Sequence, residues 1–548
     1  MLYGGITVGP IVETLGMTAT PAGLWFASYF FSLTVRDICK ALRQQGKEIL
    51  TLPDNYSFAD HAEDNGVGTY HDRVYFKADM DTAAARADIC QAIDSSVDNR
   101  TAELVEVFDG EYPAEEIKKY LKSFLQTHFV IFAEDSVIKE KGIAKTLADA
   151  LDALELSQNS QLQQESAYIH KLIRGKKEEQ ETKDGKEKQD GNNVYLRHFP
   201  PLVKEAANGA FPLAYKKDGS IRIRSLSEIA AGRELSETDI VKKTARYFAI
   251  VQCDGDSMGQ TIAADEEKGN LPQQEKRIQE FSRMCMDYTT SSAKLVTEYG
   301  GVVIYAGGDD LLFLAPIISS NDNCTSRNIW ELCRAIGRNF DTVFEKSDAE
   351  RKPSISIGLS IQYHKFPLYE AFNDARGLLF GTAKNFSTDY KNNLAVHLRK
   401  ASGQSVSLTC RMETRASADI HYGLYDMYIE FINKFFLQGD KADAEMNNLM
   451  HSVIYHLENH HVVFQSALDS SDETVVSNAF RNMFDNYGQS FGAAMLADLV
   501  KLAVATHKAV TGKAADSEAG IISAGNKPDS LACLTSMLRL AKFMVEEG

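Results

Sequence analysis

The chain has 548 residues, enough for three or four domains, and is 44% hydrophobic and 25% charged, an ordinary globular composition. Its net charge of −17 argues against a protein that grips nucleic acid mainly by its own surface, although local basic patches remain open to it. Eight scattered cysteines without a CxxC or a Cys/His ligand spacing exclude a zinc ribbon and fit a reducing, cytoplasmic setting.

Tyr3–Val8 reads as a strand. Pro21–Val35 is apolar and aromatic but too short to span a bilayer, and Arg36-Asp37 follows at once, so it reads as buried helix. No signal peptide is evident, and no membrane partner is expected. Ala22–Gln45 forms one long predicted helix with Trp25, Tyr29 and Phe30 on its apolar face. With strands at Arg73–Lys77 and His128–Ala133, residues 1–135 suggest a ferredoxin-like α+β unit. Residues 136–240 look mostly helical, and Arg174–Asn193 reads as a solvated loop or frayed helix. Pro200, Pro201 and Pro212 then mark irregular chain.

Residues 241–400 hold the chemistry. Tyr247–Gln252 is an apolar strand that runs into Cys253-Asp254-Gly255-Asp256-Ser257-Met258-Gly259. Gln273–Tyr299 has helical periodicity. Val302–Ala306 and Leu311–Ala315 are two strands joined by Gly307-Gly308-Asp309-Asp310. Glycines supply the backbone freedom of a tight hairpin and leave room for a ligand. Two adjacent acids at such a tip repel each other, a conflict that magnesium or manganese removes. The strand order can bring Asp254 beside Asp309 and Asp310, the carboxylate set of a two-metal nucleotidyl-transfer site. A helix is expected over Ser326–Lys346, a strand over Ser354–Tyr363, a helix over Pro367–Lys384 and a strand near Leu394–Leu398. Residues 401–548 read as helices, in which His456, His460 and His461 are expected to be surface or packing residues, and Ala514–Asp529 as a small-residue loop.

The segment from Tyr247 to about Leu398 resembles the palm domain of GGDEF diguanylate cyclases and class III nucleotide cyclases. It most resembles the large subunit of type III CRISPR effector complexes. The residues that carry this are Ala249–Gly259, Tyr305–Asp310, Ser354-Ile355-Ser356-Ile357-Gly358 and Thr382-Ala383-Lys384. Gly5–Ile11, Leu24–Tyr29 and Gly66–Arg73 resemble the first palm of the type III-B form. The expected architecture is thus α+β: a first palm (1–135), a helical insert (136–240), a second palm (241–400) and a helical C-terminal domain (401–548). His71-Asp72 is an HD dipeptide in a palm-like context, so no HD-type nuclease is expected, and an insert without cysteine is expected to lack structural zinc.

The resemblance implies an ATP-using nucleotidyltransferase that makes a cyclic oligoadenylate messenger once target RNA pairs with the guide RNA of the complex. Asp254, Asp309 and Asp310 are then the catalytic and metal-binding residues, with Asp256 as a weaker ligand whose strand-end position could turn it outward. Gly307, Gly308, Lys384, Ser356 and Asp72 are candidate nucleotide contacts. For Lys384 a helix-end lysine, for Ser356 an ordinary strand serine, and for Asp72 a solvent-exposed strand start are the competing readings. Asp310-Leu311 in place of Glu-Phe disfavours a diguanylate cyclase. Conjugation of ATP to S-adenosylmethionine and a non-catalytic scaffold subunit remain as alternatives.

Overall fold

The computed structural model describes residues 1–51, 67–108, 110–137, 142–156, 168–173, 213–217, 220–236, 239, 243–266, 270–345, 353–386, 391–412, 423–436, 443–484, 492–511, 522–523 and 529–545. The strands in chain order are β1 (Leu2–Gly9), β2 (Glu48–Ile49), β3 (Arg73–Ala78), β4 (Gln126–Ala133), β5 (Ala214–Lys217), β6 (Ser220–Ile223), β7 (Tyr247–Asp256), β8 (Val302–Gly307), β9 (Asp310–Pro316), β10 (Ser354–Tyr363), β11 (Asn393–Arg399), β12 (Ser405–Arg411) and β13 (Ile522–Ser523).

The same topology occurs twice. The first sheet has the order β2-β3-β1-β4 and is antiparallel throughout. Helix Pro21–Gln44 joins β1 to β2, and helices Thr82–Val107 and Ala114–Phe124 join β3 to β4. In the second sheet β8-β9-β7-β10 repeats that antiparallel order, with helix Leu271–Tyr299 before β8 and helix Ile329–Phe344 before β10. Each unit is a split βαβ arrangement in which the first strand lies centrally, and that places its C-terminal end beside the loop between the second and third strands.

Helix Pro21–Gln44 forms where the apolar periodicity placed it. Pro21 occupies its first turn, and the Thr20 side chain accepts from the Gly23 amide at 3.0 Å. Its buried face joins the two units: Trp25, Phe26 and Phe30 share one apolar cluster with Phe248 and Ile250 of β7, Ile304 of β8, and Leu312 and Leu314 of β9. The opposite face of the second sheet carries Ala249, Val251, Val303 and Phe313, which pack with Trp330 and the C-terminal helices. There Tyr425 donates to the Trp330 carbonyl at 2.8 Å.

Two expectations need correction. Residues 401–548 are not helical throughout: β12 pairs antiparallel with β11, and β13 pairs with β12, so the second sheet has seven strands. The 136–240 region contains the hairpin β5–β6 as well as helices, and its helix Ile143–Glu155 packs on β1 and β4 of the first sheet. Arg174–Asn193, Pro200, Pro201, Pro212 and most of Ala514–Asp529 lie outside the described residues. His456 stacks on His460 with ring centroids 5.5 Å apart, while His461 meets Asp529 at 3.1 Å. Among the described residues no helix is long and apolar enough to cross a membrane.

Candidate active site

The site forms where β7 ends beside the β8–β9 turn. Register pairs Cys253 with Leu311 and Gly307 with Asp310, so Asp254 and Asp310 stand at neighbouring positions of adjacent strands. Gly308 turns the hairpin at φ +64°, a conformation that glycine adopts without strain. Ser257, at φ 58°, turns the chain out of β7 into helix Met258–Glu266, a left-handed position that a serine holds only where its surroundings demand it.

Gly255 sets the depth of the cluster. A Cβ there would lie 2.7 Å from Oδ2 of Asp309 and 2.6 Å from Cγ of Met258, so the missing side chain is the space that the Asp309 carboxylate uses. Lys384 reaches the same point from the other side of the strand. Its Nζ lies 2.7 Å from Oδ1 of Asp254 and donates to the Gly255 carbonyl at 2.8 Å. The helix Leu368–Arg376 continues as a π-helical turn, Gly377–Thr382, and a 3-10 turn, Ala383–Asn385, which is how Lys384 arrives there.

The electrostatics are those of a site short of positive charge. Burial, reinforced by the charge of Asp254, pushes the Asp309 carboxyl up to about 7. Burial and the charges of Asp254 and Asp309 hold Asp310 well above the usual carboxylate range. Asp254 is also raised by burial, against the lowering effect of Lys384. Burial and mutual repulsion thus raise the proton affinity of these three carboxylates, and a bound cation would oppose that effect. The oxygen donors suit magnesium or manganese, so the residues fit such an ion. Among the described residues, however, no group of three or more His, Cys, Asp or Glu side chains is gathered to hold a metal, and Asp254 is engaged by Lys384.

Asp256 does not point outward. It is 2% exposed, and its Oδ2 accepts from Ser354 Oγ at 2.8 Å, Ser356 Oγ at 2.9 Å and the Asn392 amide at 3.0 Å. Only Oδ1, buried and without a hydrogen bond, is left to give to a cation. Ser356 is fully buried, so its hydroxyl serves Asp256 rather than an open pocket. The network ends at Asn393, whose Nδ2 donates to the Ala383 carbonyl at 2.8 Å, next to Lys384.

The first unit closes the other side. Its segment before β3 is the topological counterpart of the β8–β9 turn, and the two touch: the Ala306 amide donates to the Gly68 carbonyl at 2.9 Å, and Gly68 bridges Tyr305. Ser32 holds this segment by accepting from the amides of Thr69 and Tyr70 at 3.0 and 2.9 Å. Gly307 is glycine for this contact, because a Cβ would meet the Tyr305 hydroxyl at 2.6 Å and the Thr69 carbonyl at 2.7 Å. The space expected for a ligand at Gly307 is therefore filled by the chain itself. A Cβ on Gly308 would instead lie 3.6 Å from the Cβ of His71. Asp72 follows, opening β3 much as Asp310 opens β9. Burial raises the Asp72 carboxyl, with Arg73 opposing, and its charge is felt at Asp309, Asp310 and Tyr305.

Gly255, Thr69, Tyr305 and His71 escaped the sequence reading as site residues. Only Gly255, a glycine inside a strand pattern, carried a local signal for close approach.

The carboxylate-bearing sheet also has known relatives. Residues 247–395 match the family described as Cas10/Cmr2, second palm domain. That segment is similar to a Cas10/Cmr2 palm. The Cmr2 subunit of the CRISPR system Cmr of Pyrococcus furiosus is 28% identical over 176 residues, which cover 29% of this chain and 19% of that relative's length. Among solved structures, a chain of the type III-B Cmr-β complex in its apo state aligns with a TM-score of 0.58 at 12% identity, covering 98% of this chain and 81% of that one. A chain of the Csm1–Csm4 cassette in complex with cA4 aligns with a TM-score of 0.51 at 14% identity, covering 99% and 70%. The palm segment is thus similar to that of Cmr2, and the fold of the whole chain is like that of the type III-B Cmr-β chain.

Proposed function

We propose that this protein is an ATP-using nucleotidyltransferase of the cyclic oligoadenylate type, working as the large subunit of a type III CRISPR complex with the other subunits, guide RNA and target RNA. The observation that carries it is the meeting of Asp254, Asp309, Asp310 and Lys384 at one end of a Cas10/Cmr2 palm. The Csm1–Csm4 relative bound to cA4 supports the product class.

Asp254, Asp309 and Asp310 would hold magnesium or manganese once Lys384 releases Asp254, with Oδ1 of Asp256 as a further oxygen. When bound, such ions supply charge neutralisation and activation of a ribose 3′-hydroxyl toward an ATP α-phosphate. Lys384 brings its ammonium to the position where negative charge grows on departing pyrophosphate. The Asp256–Ser356–Asn393 network fixes the segment that presents Lys384, and Gly255 leaves Asp309 its place. Asp72 faces the site from the first palm, where it contacts a second nucleotide. Gly308, facing His71, keeps the turn open toward the same side.

The test is mass spectrometry of products from the protein assembled with guide and target RNA, given ATP and magnesium, with and without S-adenosylmethionine. Cyclic adenylates, absent from an Asp309→Ala/Asp310→Ala variant, are the expected result. An adduct formed only with S-adenosylmethionine would replace the cyclase by a conjugating enzyme. No product with RNA binding intact would leave a scaffold.

A further inference from the structure

Strand β8 carries one residue more than its partner. Val303 pairs with Phe313 and Tyr305 with Leu312, so Ile304 is the extra residue of a β-bulge. Tyr305, two positions after Val303, would otherwise share its face, toward Trp330 and the C-terminal helices. The bulge turns it to the opposite face, that of Leu312, where the first unit packs. Gly307 and its partner Asp310 continue that face.

The first unit holds the bulge in place. Ser28 of helix Pro21–Gln44 donates to the Ile304 carbonyl at 3.1 Å, and the Ala306 amide donates to the Gly68 carbonyl at 2.9 Å. Backbone groups on both sides of Tyr305 are thus satisfied from outside the sheet. A Cβ on Gly68 would stand 3.3 Å from Cδ2 of Tyr305, and one on Gly307 only 2.6 Å from its hydroxyl oxygen. The ring therefore runs from Gly68 to Gly307, along a bed made by two missing side chains. Its hydroxyl ends over the carboxylate hairpin, and among the described residues no hydrogen bond engages it. Burial, then the charges of Asp310, Asp72 and Asp309, hold the phenol well above its ordinary value, so it keeps its proton.

Three carboxylates around the phenol repel an anionic group and accept a neutral one. A phenol both donates and accepts, which matches a sugar hydroxyl. With transfer at Asp254, Asp309 and Asp310, the reacting 3′-hydroxyl lies at the hairpin, and its neighbour on the ribose is the 2′-hydroxyl. We propose that Tyr305 binds the ribose 2′-hydroxyl of the acceptor nucleotide and so selects ribonucleotides over deoxyribonucleotides. This role rests on the nucleotidyl-transfer reading.

Affinities of the assembled complex for ATP and 2′-deoxy-ATP, measured by calorimetry with calcium in place of magnesium, test it without turnover. The wild type should favour ATP by about tenfold or more, and Tyr305→Phe should bring the two within about twofold through loss of ATP affinity alone. Initial rates with magnesium should show the same collapse in kcat/KM. Tyr305→Phe removes an oxygen without a described protein partner, so its melting temperature should match the wild type. Ser28→Ala keeps the ring but frees the Ile304 carbonyl, and should reduce the preference part way. Equal affinities in the wild type, or a preference for ATP that survives in Tyr305→Phe, would overturn the proposal even in a complex that makes product. A preference that collapses in Tyr305→Phe, in a complex that makes no product, would uphold the ribose contact and overturn the nucleotidyl-transfer reading instead.

Discussion

Replacing Gly255 by alanine tests how closely the carboxylate site is built. The new Cβ would stand 2.7 Å from Oδ2 of Asp309 and 2.6 and 2.7 Å from Cγ and Sδ of Met258. The oxygen contact is about 0.7 Å shorter than an ordinary van der Waals separation. Met258 can rotate away, but Asp309 sits on a two-glycine hairpin docked against the first palm, so its carboxylate must swing off its place over Gly255. A misplacement near 1 Å costs about a hundredfold in rate, so turnover should fall roughly 10- to 100-fold, or about 1.4–2.7 kcal/mol of barrier. The assay is the initial rate of product formation from ATP by the assembled complex, with melting temperature as the folding control. Gly259→Ala is the matched comparison, because a Cβ there meets nothing within 4 Å. Wild-type turnover in Gly255→Ala, or equal losses in both variants, would refute the role given to this glycine.

Asp256→Ala removes an acceptor shared by three donors, one of them the fully buried Ser356 hydroxyl, and should lower stability by about 2–3 kcal/mol; denaturant unfolding with Ser356→Ala as the second arm of a double-mutant cycle measures the coupling. Asp309 binds its proton more tightly folded, at about 7, than unfolded, at 3.8, so with metal chelated the folded protein loses stability as pH rises through that window. Melting curves from pH 4 to 8 should show this decline, flattened in Asp309→Asn. Ser32→Ala frees the amides of Thr69 and Tyr70 and should cost about 1–2 kcal/mol, with a drop in turnover larger than that seen for an exposed serine such as Ser320.

Both ferredoxin-like units were legible because their strands and long helices carry strong periodicity, as in Tyr247–Gln252 and Ala22–Gln45. The proximity of Asp254 to the Asp309-Asp310 turn was legible from the strand order alone. Other features depended on tertiary partners. Nothing local to Gly307 says that its space is taken by Thr69, more than two hundred positions away in the chain. Nor does Asp254 announce Lys384. Two misses were avoidable. Val406, Leu408 and Cys410 alternate with polar residues as a half-buried strand should, and Asp218-Gly219 between β5 and β6 is a strong hairpin signal.

The helix Pro21–Gln44 has a practical consequence for dissecting the protein. It packs on β8, and its aromatic side chains share one apolar cluster with Phe248, Ile250, Ile304, Leu312 and Leu314 of the second sheet. A fragment cut at the borders of the matched palm, 247–395, would lose the cover that helices Pro21–Gln44 and Leu226–Ala231 give this face of the sheet, keeping only helix Leu368–Arg376, and would also strip β12 from the edge at β11. Such an excised piece presents water with a broad oily surface and an unprotected strand edge, the combination that drives chains to aggregate. The recognisable domain is in this sense not the separable one: a piece meant to stand alone has to include the N-terminal unit as well.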